Sequence, residues 1–413
     1  MNVKVVHIVT QDCGGAGTAV LRLHHALIDN GVDSKVLTLH KSPTSDASIV
    51  QYETRLKPRY IAWIRSKLRS VRFRLRISNE RWERLAHETT QQYPCYYTLP
   101  ISTLHVEKHP LIQQADIIHL HWIENFINYP SFFSSIQKPL VWTFHDINCG
   151  MGGFHFQIEK DNLSDHYQKL EQYFLNIKYT AYAQCSDIAC IALSTEMATY
   201  IQNIPPLEKK PVYKIPNIAD TILFRPVNKS EAKTSLGLPQ DKKILLFISD
   251  YPSHPSKGLH FLLNAVDQIQ NSNIIICIVG GHVESSISER ADVVHLGYIS
   301  NNDRLCEVYS AADMMVMPSL QEAFSLTTLE ATACGLPIVA FPCGGVKDMI
   351  CNVNGVVCND FSVDSLIDAI TIALSREYKS DSIRAITAQN YSTIRIAQQY
   401  IDVYHSLLKL KST

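Results

Sequence analysis

Residues 3–39 have the sequence VKVVHIVTQDCGGAGTAVLRLHHALIDNGVDSKVLTL. The segment begins with a short apolar run, Val3–Val9, that is rich in β-branched residues. Apolar residues then recur at helical spacing until Gly31, and Ser34–Leu39 forms a second apolar run. A strand, a helix closed by glycine and a further strand make one βαβ unit. The stretch therefore predicts an α/β fold built on a parallel sheet that helices cover on both faces.

The same alternation of short apolar runs and helical segments continues in two series. The further strands predicted in the first series are Ile117–Leu120, Leu140–Phe144 and Ile188–Leu193. Those predicted in the second series are Ile244–Ile248, Ile274–Val279, Val293–Leu296, Met314–Met317 and Ile338–Ala340. Between the two series, residues 205–226 contain five prolines, a density typical of a connecting segment.

Two domains fit the length of 413 residues. The predicted fold class is α/β, with two doubly wound, Rossmann-like parallel-sheet domains that face a central cleft able to hold two substrates. We expect the N-terminal domain over residues 1–215 and the C-terminal domain over residues 216–390. A C-terminal helix is expected over residues 391–413, and its last part could cross back onto the first domain.

Composition and charge narrow the class of protein. A net charge of −1 and a pI of about 7.0 argue against a general nucleic-acid binder. The 11 cysteines are scattered, mostly within apolar runs, which is typical of reduced, buried thiols. The first residues lack the apolar core of a signal peptide, and no apolar run has the length of a spanning helix. We therefore expect a cytoplasmic protein.

A basic stretch, Arg55–Arg84, lies within a predicted insertion over residues 55–90 of the first domain. It holds 11 arginines and lysines against two glutamates, with aromatic and aliphatic residues between them. Such a pattern favours either contact with an anionic membrane or acidic acceptor, or a solvated helical hairpin packed on the domain. The first interpretation would place the protein on the cytoplasmic face of a membrane.

The segment with the most chemistry is EAFSLTTLEATACGLP, residues 322–337. It follows a predicted strand and begins a helix at about Ser325, so Glu322 lies in the loop and Glu330 in the helix. The first turn of a helix offers free N–H groups and positive dipole to a diphosphate. Carboxylates accept hydrogen bonds from sugar hydroxyls. The segment therefore predicts a site that holds a diphosphate beside the hydroxyls of a sugar.

The pattern Glu-x7-Glu followed by Ala-x-x-Cys-Gly-x-Pro resembles glycosyltransferase family 4, which has the GT-B fold. The resemblance implies that Glu322 contacts the transferred sugar and that Glu330 holds the ribose hydroxyls. It also places four further residues at the nucleotide-sugar site: Phe324, Ser325, Leu326 and Thr327.

Two segments of the first half resemble the same family. The glycines of Gly14-Gly15-Ala16-Gly17 follow the first strand, as in the family's glycine-rich donor and acceptor loop. Val141–Asp146 ends a strand and is similar to the family's His-Asp segment. The resemblance implies that His145 contacts the donor sugar or places the acceptor, with Asp146 beside it.

Three segments of the second half complete the resemblance. Lys257, before Gly258, resembles the family's lysine for the donor phosphates, where it would stabilise the leaving diphosphate. Asn217 lies in a segment similar to the hinge that enters the second domain, and Tyr298 and Ile299 stand where family members hold the nucleotide base through main-chain contacts.

The chain departs from the family pattern at three points. No arginine precedes the lysine within residues 249–257, so the second phosphate clamp is missing or comes from elsewhere. Ser325 replaces a glycine, and Ile218 replaces the glycine of a Pro-Asn-Gly hinge. These departures concern the geometry of the donor phosphates.

The resemblance implies a hexosyltransferase that transfers a sugar with retention, from a UDP- or GDP-linked donor to a hydroxyl of a glycan or lipid-linked glycan. By analogy, the acceptor belongs to a bacterial surface polysaccharide, capsule or lipopolysaccharide. No metal site is expected, because the chain shows no Asp-x-Asp triplet. No cofactor is expected besides the nucleotide-sugar donor. Two alternatives stay open: a nucleotide-sugar epimerase or hydrolase, and a non-catalytic partner protein with the GT-B fold.

Overall fold

A computed structural model of the chain describes residues 3–53, 97–161 and 165–410. The basic stretch Arg55–Arg84 lies outside the described residues. The chain divides into two compact units. The first unit comprises Met1–Ala192, Ala198–Lys214 and Tyr400–Thr413, and the second comprises Leu193–Met197 and Ile215–Gln399.

The first unit is built on a seven-stranded sheet with the order β3-β2-β1-β4-β5-β6-β7, and every neighbouring pair is parallel. Its strands are β1 Lys4–Gln11, β2 Asp33–His40, β3 Ile49–Gln51, β4 Ile117–Leu120, β5 Leu140–Phe144, β6 Ile188–Ala192 and β7 Val212–Lys214. All residues of β4, β5 and β6 are buried. Burial on both faces explains why these strands consist mostly of apolar residues and do not alternate between apolar and polar ones.

The first unit contains the helices α1 Gly14–Asp29, α2 Pro110–Gln114, α3 Tyr129–Ser135, α4 Gln157–Asp161 and α5 Asp165–Ala183 in its described part. The next helix, α6 Thr195–Gln202, has its first three residues in the second unit and the others in the first. The helix α1 buries the apolar residues that recur at helical spacing, including Val20, Leu23 and Leu27. It ends where Gly31 adopts a φ of 81°, a left-handed conformation that glycine adopts without steric cost.

The second unit is built on a six-stranded parallel sheet with the order β10-β9-β8-β11-β12-β13. Its strands are β8 Lys243–Ser249, β9 Ile274–Gly280, β10 Val293–His295, β11 Met314–Met317, β12 Ile338–Ala340 and β13 Gly355–Val357. Two clusters of buried apolar residues include side chains from these strands and from neighbouring helices. The two parallel sheets with their helices confirm the predicted α/β class with two Rossmann-like domains.

The remaining helices are α7 Lys229–Leu236, α8 Leu259–Ile269, α9 Ser285–Ser288, α10 Asn302–Ala311, α11 Leu326–Ala333, α12 Val346–Met349, α13 Val363–Ser375, α14 Ser380–Tyr391 and α15 Thr393–Leu410. The residues of α15 up to Gln399 belong to the second unit, and those from Tyr400 belong to the first. In the described ranges, no helix is both long enough and apolar enough to cross a bilayer.

The structure adds three short strands to the predicted set: β3, β7 and β13. Each has three residues and pairs with one neighbour at a sheet edge, so none carries a clear apolar run. The strand β7 corrects the interpretation of residues 205–226 as only a connecting segment. The C-terminal stretch is also divided, because Ser392 has an extended backbone, with a ψ of 150°, between α14 and α15.

Both sheets reverse their strand order at an inner strand. In the first sheet, β1 lies between β2 and β4, and in the second sheet β8 lies between β9 and β11. Ligands of open α/β sheets bind beyond the carboxyl ends of the strands at such switch points. We therefore expect ligand-binding residues in the loops after β1 and β4 in the first unit, and in the loops after β8 and β11 in the second.

Candidate active site

Two residues predicted to act on the donor meet at the switch point of the second sheet. Lys257 follows β8 and Glu322 follows β11, and these two strands are neighbours in the sheet. The Lys257 ammonium donates a hydrogen bond to the Glu322 carboxylate, with 2.6 Å between Nζ and Oε1. Both side chains are partly exposed, at 23% and 19%. The ion pair is therefore formed and still accessible to a ligand.

The loop of Lys257 is fixed by close backbone packing. Gly258 has a φ of 74°, and a Cβ at this position would overlap the carbonyl oxygen of Pro318. The Leu320 amide also donates to the Ser256 carbonyl, at 2.8 Å. These contacts join the loop after β8 to the loop after β11, which explains why glycine must follow the lysine.

A pair of glycines, Gly344 and Gly345, lies against the loop of Glu322, and sequence reasoning missed it. Gly344 has a φ of 47°, and a Cβ there would overlap the Glu322 carbonyl oxygen. The Gly345 amide donates to the Ala323 carbonyl at 3.1 Å. The sequence signal was present, because two glycines stand shortly after the predicted strand Ile338–Ala340.

The electrostatics of the pair favour a charged lysine. Burial acts to lower the pKa of Lys257, but the neighbouring Glu322 carboxylate raises it through charge and hydrogen bonding, and the net shift is upward. The ammonium is therefore retained in the ligand-free site. A fixed cation in a partly desolvated site is suited to stabilise a developing negative charge.

The serine that replaces the family's glycine caps the helix α11. The Ser325 hydroxyl accepts a hydrogen bond from the Thr328 amide at 3.1 Å, and it lies 3.0 Å from the Thr327 hydroxyl. Ser325 is buried, whereas Leu326 and Thr327 of the first helical turn are half-buried. Phe324 packs in an apolar cluster with Leu329. Serine is a strong N-cap residue, which gives this departure a local structural cause.

Glu330 lies inside α11 and is 8% exposed. The Tyr309 hydroxyl of α10 donates a hydrogen bond to Glu330 Oε2, at 3.0 Å. Tyr309 is fully buried, so its phenol fixes the position of the carboxylate. Tyr309 was not predictable from the sequence, because a tyrosine in an amphipathic helix is ordinarily part of the core.

The other residues predicted for the nucleotide site lie at separate places of the second unit. Asn217 is buried, and it lies in the segment of the chain that follows β7 and precedes α7. Tyr298 follows β10 with 69% exposure, and Ile299 is half-buried. Tyr298 and Ile299 lie beyond the carboxyl end of β10, the same edge of the sheet as Lys257 and Glu322.

In the first unit, the three glycines predicted to form a loop lie in the first turn of α1. The helix begins at Gly14, which has a φ of 69°, and it also contains Gly15 and Gly17. A Cβ on Gly17 would come within 2.7 Å of the Gln11 carbonyl oxygen. The glycines therefore allow the helix to begin directly against the end of β1, which corrects the predicted loop.

His145 and Asp146 follow β5, at the carboxyl edge of the first sheet. The Asp146 carboxylate accepts hydrogen bonds from the Trp122 indole at 3.0 Å and from the Asn148 amide at 2.9 Å. Its Oδ2 lies 2.6 Å from Nδ1 of His155. Burial raises the pKa of Asp146, but these partners outweigh burial and the net shift is downward. Asp146 is therefore a charged residue that fixes its surroundings.

Histidines that the sequence did not single out lie around His145. His145 Nε2 lies 3.1 Å from Nδ1 of His121, which follows β4. Burial lowers the pKa of His145 to about 4, against an opposing effect of Asp146. His145 is therefore neutral near pH 7. Sequence reasoning had no means of finding His121, because its position depends on β4 pairing with β5.

Comparison with known proteins gives the family. The model of Glycosyltransferase Family 4 matches residues 13–222, about half of the chain, and the model of Glycosyl transferases group 1 matches residues 242–376. The Uncharacterized glycosyltransferase MJ1607 of Methanocaldococcus jannaschii is 26% identical over 316 residues, which cover 72% of this chain and 77% of that protein.

Two solved structures have the same fold. Sucrose-phosphate synthase from Thermosynechococcus elongatus has a TM-score of 0.69 at 18% identity, over 99% of this chain and 100% of that one. Anabaena Alr3699/HepE, in complex with UDP and glucose, has a TM-score of 0.64 at 17% identity, over 98% and 100%. At these identities the likeness concerns the fold alone. The family matches along both halves show that the chain belongs to glycosyltransferase family 4.

Proposed function

We propose that this glycosyltransferase transfers a sugar with retention and without a metal ion, from a UDP- or GDP-linked donor to a hydroxyl of a glycan or lipid-linked glycan. The acceptor belongs, in this proposal, to the biosynthesis of a surface polysaccharide. The UDP bound to the neighbour Alr3699/HepE supports the class of donor. No separate cofactor takes part.

The observation that carries the proposal is the Lys257–Glu322 pair at the switch point of the second sheet. The pair lies beside the loop that leads into α11, so a cation, a carboxylate and free helical N–H groups occur together. This combination suits a sugar linked to a diphosphate, since the phosphates need positive charge and the sugar needs acceptors for its hydroxyls.

Lys257 and the first turn of α11 would stabilise the leaving diphosphate as its bond to the anomeric carbon breaks. The acceptor hydroxyl forms its bond on the same face of the sugar, which gives retention. Its proton passes to a departing phosphate oxygen, so no protein base is needed. Glu322 accepts hydrogen bonds from the transferred sugar, and Glu330 accepts them from the ribose. His145, which is neutral, contacts a sugar hydroxyl without acting as a base.

Metal independence is proposed although two histidine clusters in the described part of the first unit have the spacing of metal ligands. One cluster comprises His7, His119 and His121, and the other comprises His24, His25 and Asp46. Both ring nitrogens of His24 face serine hydroxyls, Ser34 at 2.7 Å and Ser48 at 2.8 Å. A metal would have to displace the contacts of His24, so the cluster of His24, His25 and Asp46 is not a preformed cation site.

A thermal-shift screen tests the function and its independence of metals. We expect one of UDP, GDP, UDP-glucose, UDP-galactose or GDP-mannose to raise the melting temperature, because a ligand of the folded state stabilises it. The shift, and transfer from the same donor, should persist in EDTA. Loss of transfer in EDTA with recovery on adding manganese would contradict metal independence. No shift of the melting temperature with any nucleotide would favour the non-catalytic alternative. Turnover of the donor without transfer to an acceptor would favour the epimerase or hydrolase.

Replacing Glu330 by glutamine should weaken nucleotide binding about 10- to 100-fold, because a hydrogen bond to a charged group contributes roughly 1.5–3 kcal/mol. Isothermal titration calorimetry with the nucleotide selected by the screen measures the change. Glu231→Gln, on the exposed surface of α7, is the matched control and should leave the affinity unchanged. Equal affinities for wild type and Glu330→Gln would remove the proposed ribose contact.

The basic stretch Arg55–Arg84 supports one more element of the proposal, contact with an anionic membrane. Its support is the sequence pattern of cationic and apolar residues alone.

A further inference from the structure

Three histidines form a hydrogen-bonded line in the first unit. His7 lies in the middle of β1, His121 follows β4 and His145 follows β5, and these strands are neighbours in the sheet. His7 Nδ1 lies 2.9 Å from His121 Nε2, and His121 Nδ1 lies 3.1 Å from His145 Nε2. His121 therefore uses both ring nitrogens within the line.

This line does not form a metal site together with the neighbouring His119. The candidate ligand atoms of His7, His119 and His121 lie within 4.8 Å of one another. However, His119 Nδ1 lies 2.8 Å from the Tyr404 hydroxyl, and its Nε2 lies 2.8 Å from the Thr143 hydroxyl. Binding a cation would require several of these hydrogen bonds to break. The geometry is that of a hydrogen-bond network.

The histidines of the line are neutral. His7 is 0% exposed and His121 is 3% exposed, and burial lowers the pKa of both well below the usual value, with the neighbouring histidines adding to the effect. A neutral imidazole has one N–H donor and one acceptor nitrogen. Two successive contacts therefore require the N–H groups to point the same way along the line.

The surroundings of the two ends of the line determine in which direction the N–H groups point. His7 Nε2 is buried and has no hydrogen-bond partner among the described residues. If the N–H groups point from His7 towards His145, this buried end holds only a lone pair. If they point the other way, an N–H group is buried without an acceptor, which is rare in folded proteins. The outward direction leaves the N–H of His145 on Nδ1, which forms no hydrogen bond within the described part of the chain.

We propose that His7 and His121 are positioning residues that hold His145 as the tautomer protonated on Nδ1, so that His145 donates a hydrogen bond to an oxygen of the sugar or phosphate. The inference rests on the proposed role of His145 and adds the direction of its hydrogen bond. In this state Nε2 is occupied by His121, and Nδ1 already carries its proton. His145 is therefore excluded as a base, in agreement with a reaction in which the leaving phosphate takes the proton.

The first test is the tautomer in the full-length protein without ligand. With ¹⁵N-labelled histidine, long-range ¹H–¹⁵N correlation at pH 7.5 distinguishes a protonated from an unprotonated ring nitrogen. The His145 signals are assigned by their loss in His145→Gln. We expect a protonated Nδ1 and an unprotonated Nε2. A protonated Nε2, or the averaged signals of a freely exchanging imidazole, would overturn the proposal.

The second test compares two amides at position 121. The amide nitrogen of asparagine can occupy the place of Nδ1 and donate to His145, whereas that of glutamine lies nearer the place of Nε2, facing His7. With the donor chosen by the thermal-shift screen, we expect kcat/KM to fall about tenfold in His121→Gln and His121→Leu, and clearly less in His121→Asn. The fraction of His145 that is protonated on Nδ1 should likewise fall more in His121→Gln and His121→Leu than in His121→Asn.

The outcomes separate this inference from the proposed function. If His145→Ala is impaired but His121→Asn and His121→Gln are equally active, the positioning role is wrong and the role of His145 survives. If His145→Ala keeps full activity, the role of His145 is wrong and the inference fails with it. Tryptophan fluorescence checks that each variant is folded, because all four tryptophans lie within residues 63–142.

Discussion

Lys257→Met is expected to lower kcat about 100- to 1000-fold, the effect of removing one preorganised group that stabilises a developing charge. Methionine keeps most of the side-chain volume, so the variant removes the ammonium and leaves the packing beside Gly258 in place. Because the charge on the diphosphate grows as the glycosidic bond breaks, kcat should fall more than the affinity for the intact donor. Release of the nucleotide product measures kcat, and calorimetry measures the affinity.

Lys229→Met is the matched control. Lys229 is 46% exposed and pairs with Asp313 at 2.9 Å in the same unit. Exposed ion pairs contribute only about 0–1 kcal/mol, so this variant should keep both kcat and fold. A loss of the same size in both variants would point to general destabilisation, and an active Lys257→Met would remove the proposed role of the ammonium.

A pH profile separates the charge of Lys257 from its position. In the wild type, Glu322 holds the pKa of Lys257 above its usual value, although burial acts to lower it. In Glu322→Gln the opposing charge is lost, so the pKa of Lys257 falls. The alkaline decline of kcat/KM, which reports pKa values of the free enzyme, should therefore begin at lower pH in Glu322→Gln than in the wild type. An unchanged alkaline limb would show that deprotonation of Lys257 does not control the rate.

The sequence predicted the fold largely because buried parallel strands carry a strong local signal. β4, β5 and β11 are buried throughout and consist mostly of apolar residues, so their bounds follow from the residues themselves. The edge strands β3, β7 and β13 have three residues each and half-buried positions, so they carry no such signal. Their existence depends on a neighbouring strand that offers hydrogen bonds, which local sequence does not encode.

The residues of the candidate site that belong to a family motif could be predicted from the sequence. Those that reach the site only through tertiary contacts could not. Lys257 and Glu322 were found from their motifs, but their pairing depends on the order of β8 and β11 in the sheet. Tyr309 and Gly344 support Glu330 and Glu322 from positions that look like ordinary core and loop. His7 lies inside an apolar run, and its partner His121 is 114 residues away.

The histidines of the first unit lead to the second large prediction, a steep loss of stability in mild acid. Four of them are at most 3% exposed: His7, His24, His119 and His121. Burial lowers the pKa of each below the usual 6.5, to about 4 for His24 and well below 6.5 for the others. The folded state therefore excludes protons that the unfolded chain accepts.

This difference in proton uptake makes the stability of the fold depend on pH below the usual histidine pKa. Above pH 6.5 the four histidines are neutral in both states and have no effect on the pH dependence. Below pH 6.5 the unfolded state takes up protons that the folded state does not, so stability falls with pH, until the folded-state pKa values are reached. While a group stays neutral in the folded state it contributes up to about 1.4 kcal/mol per pH unit, so four such groups give a slope of up to about 6 kcal/mol per pH unit. Domains are commonly stable by only about 5–15 kcal/mol.

We therefore expect the first unit to unfold between about pH 6 and pH 4. Urea unfolding followed by tryptophan fluorescence between pH 7.5 and 5.5 measures the effect, since Trp122 and Trp142 belong to this unit. His24→Gln should reduce the slope of stability against pH by up to about 1.4 kcal/mol per unit, even if the substitution lowers stability at every pH. His405→Gln, at an exposed position, should leave the slope unchanged. A free energy of unfolding that is constant from pH 7.5 to 5.5 would mean that the buried histidines take up protons in the folded state, and the neutral line that orients His145 would then be excluded as well.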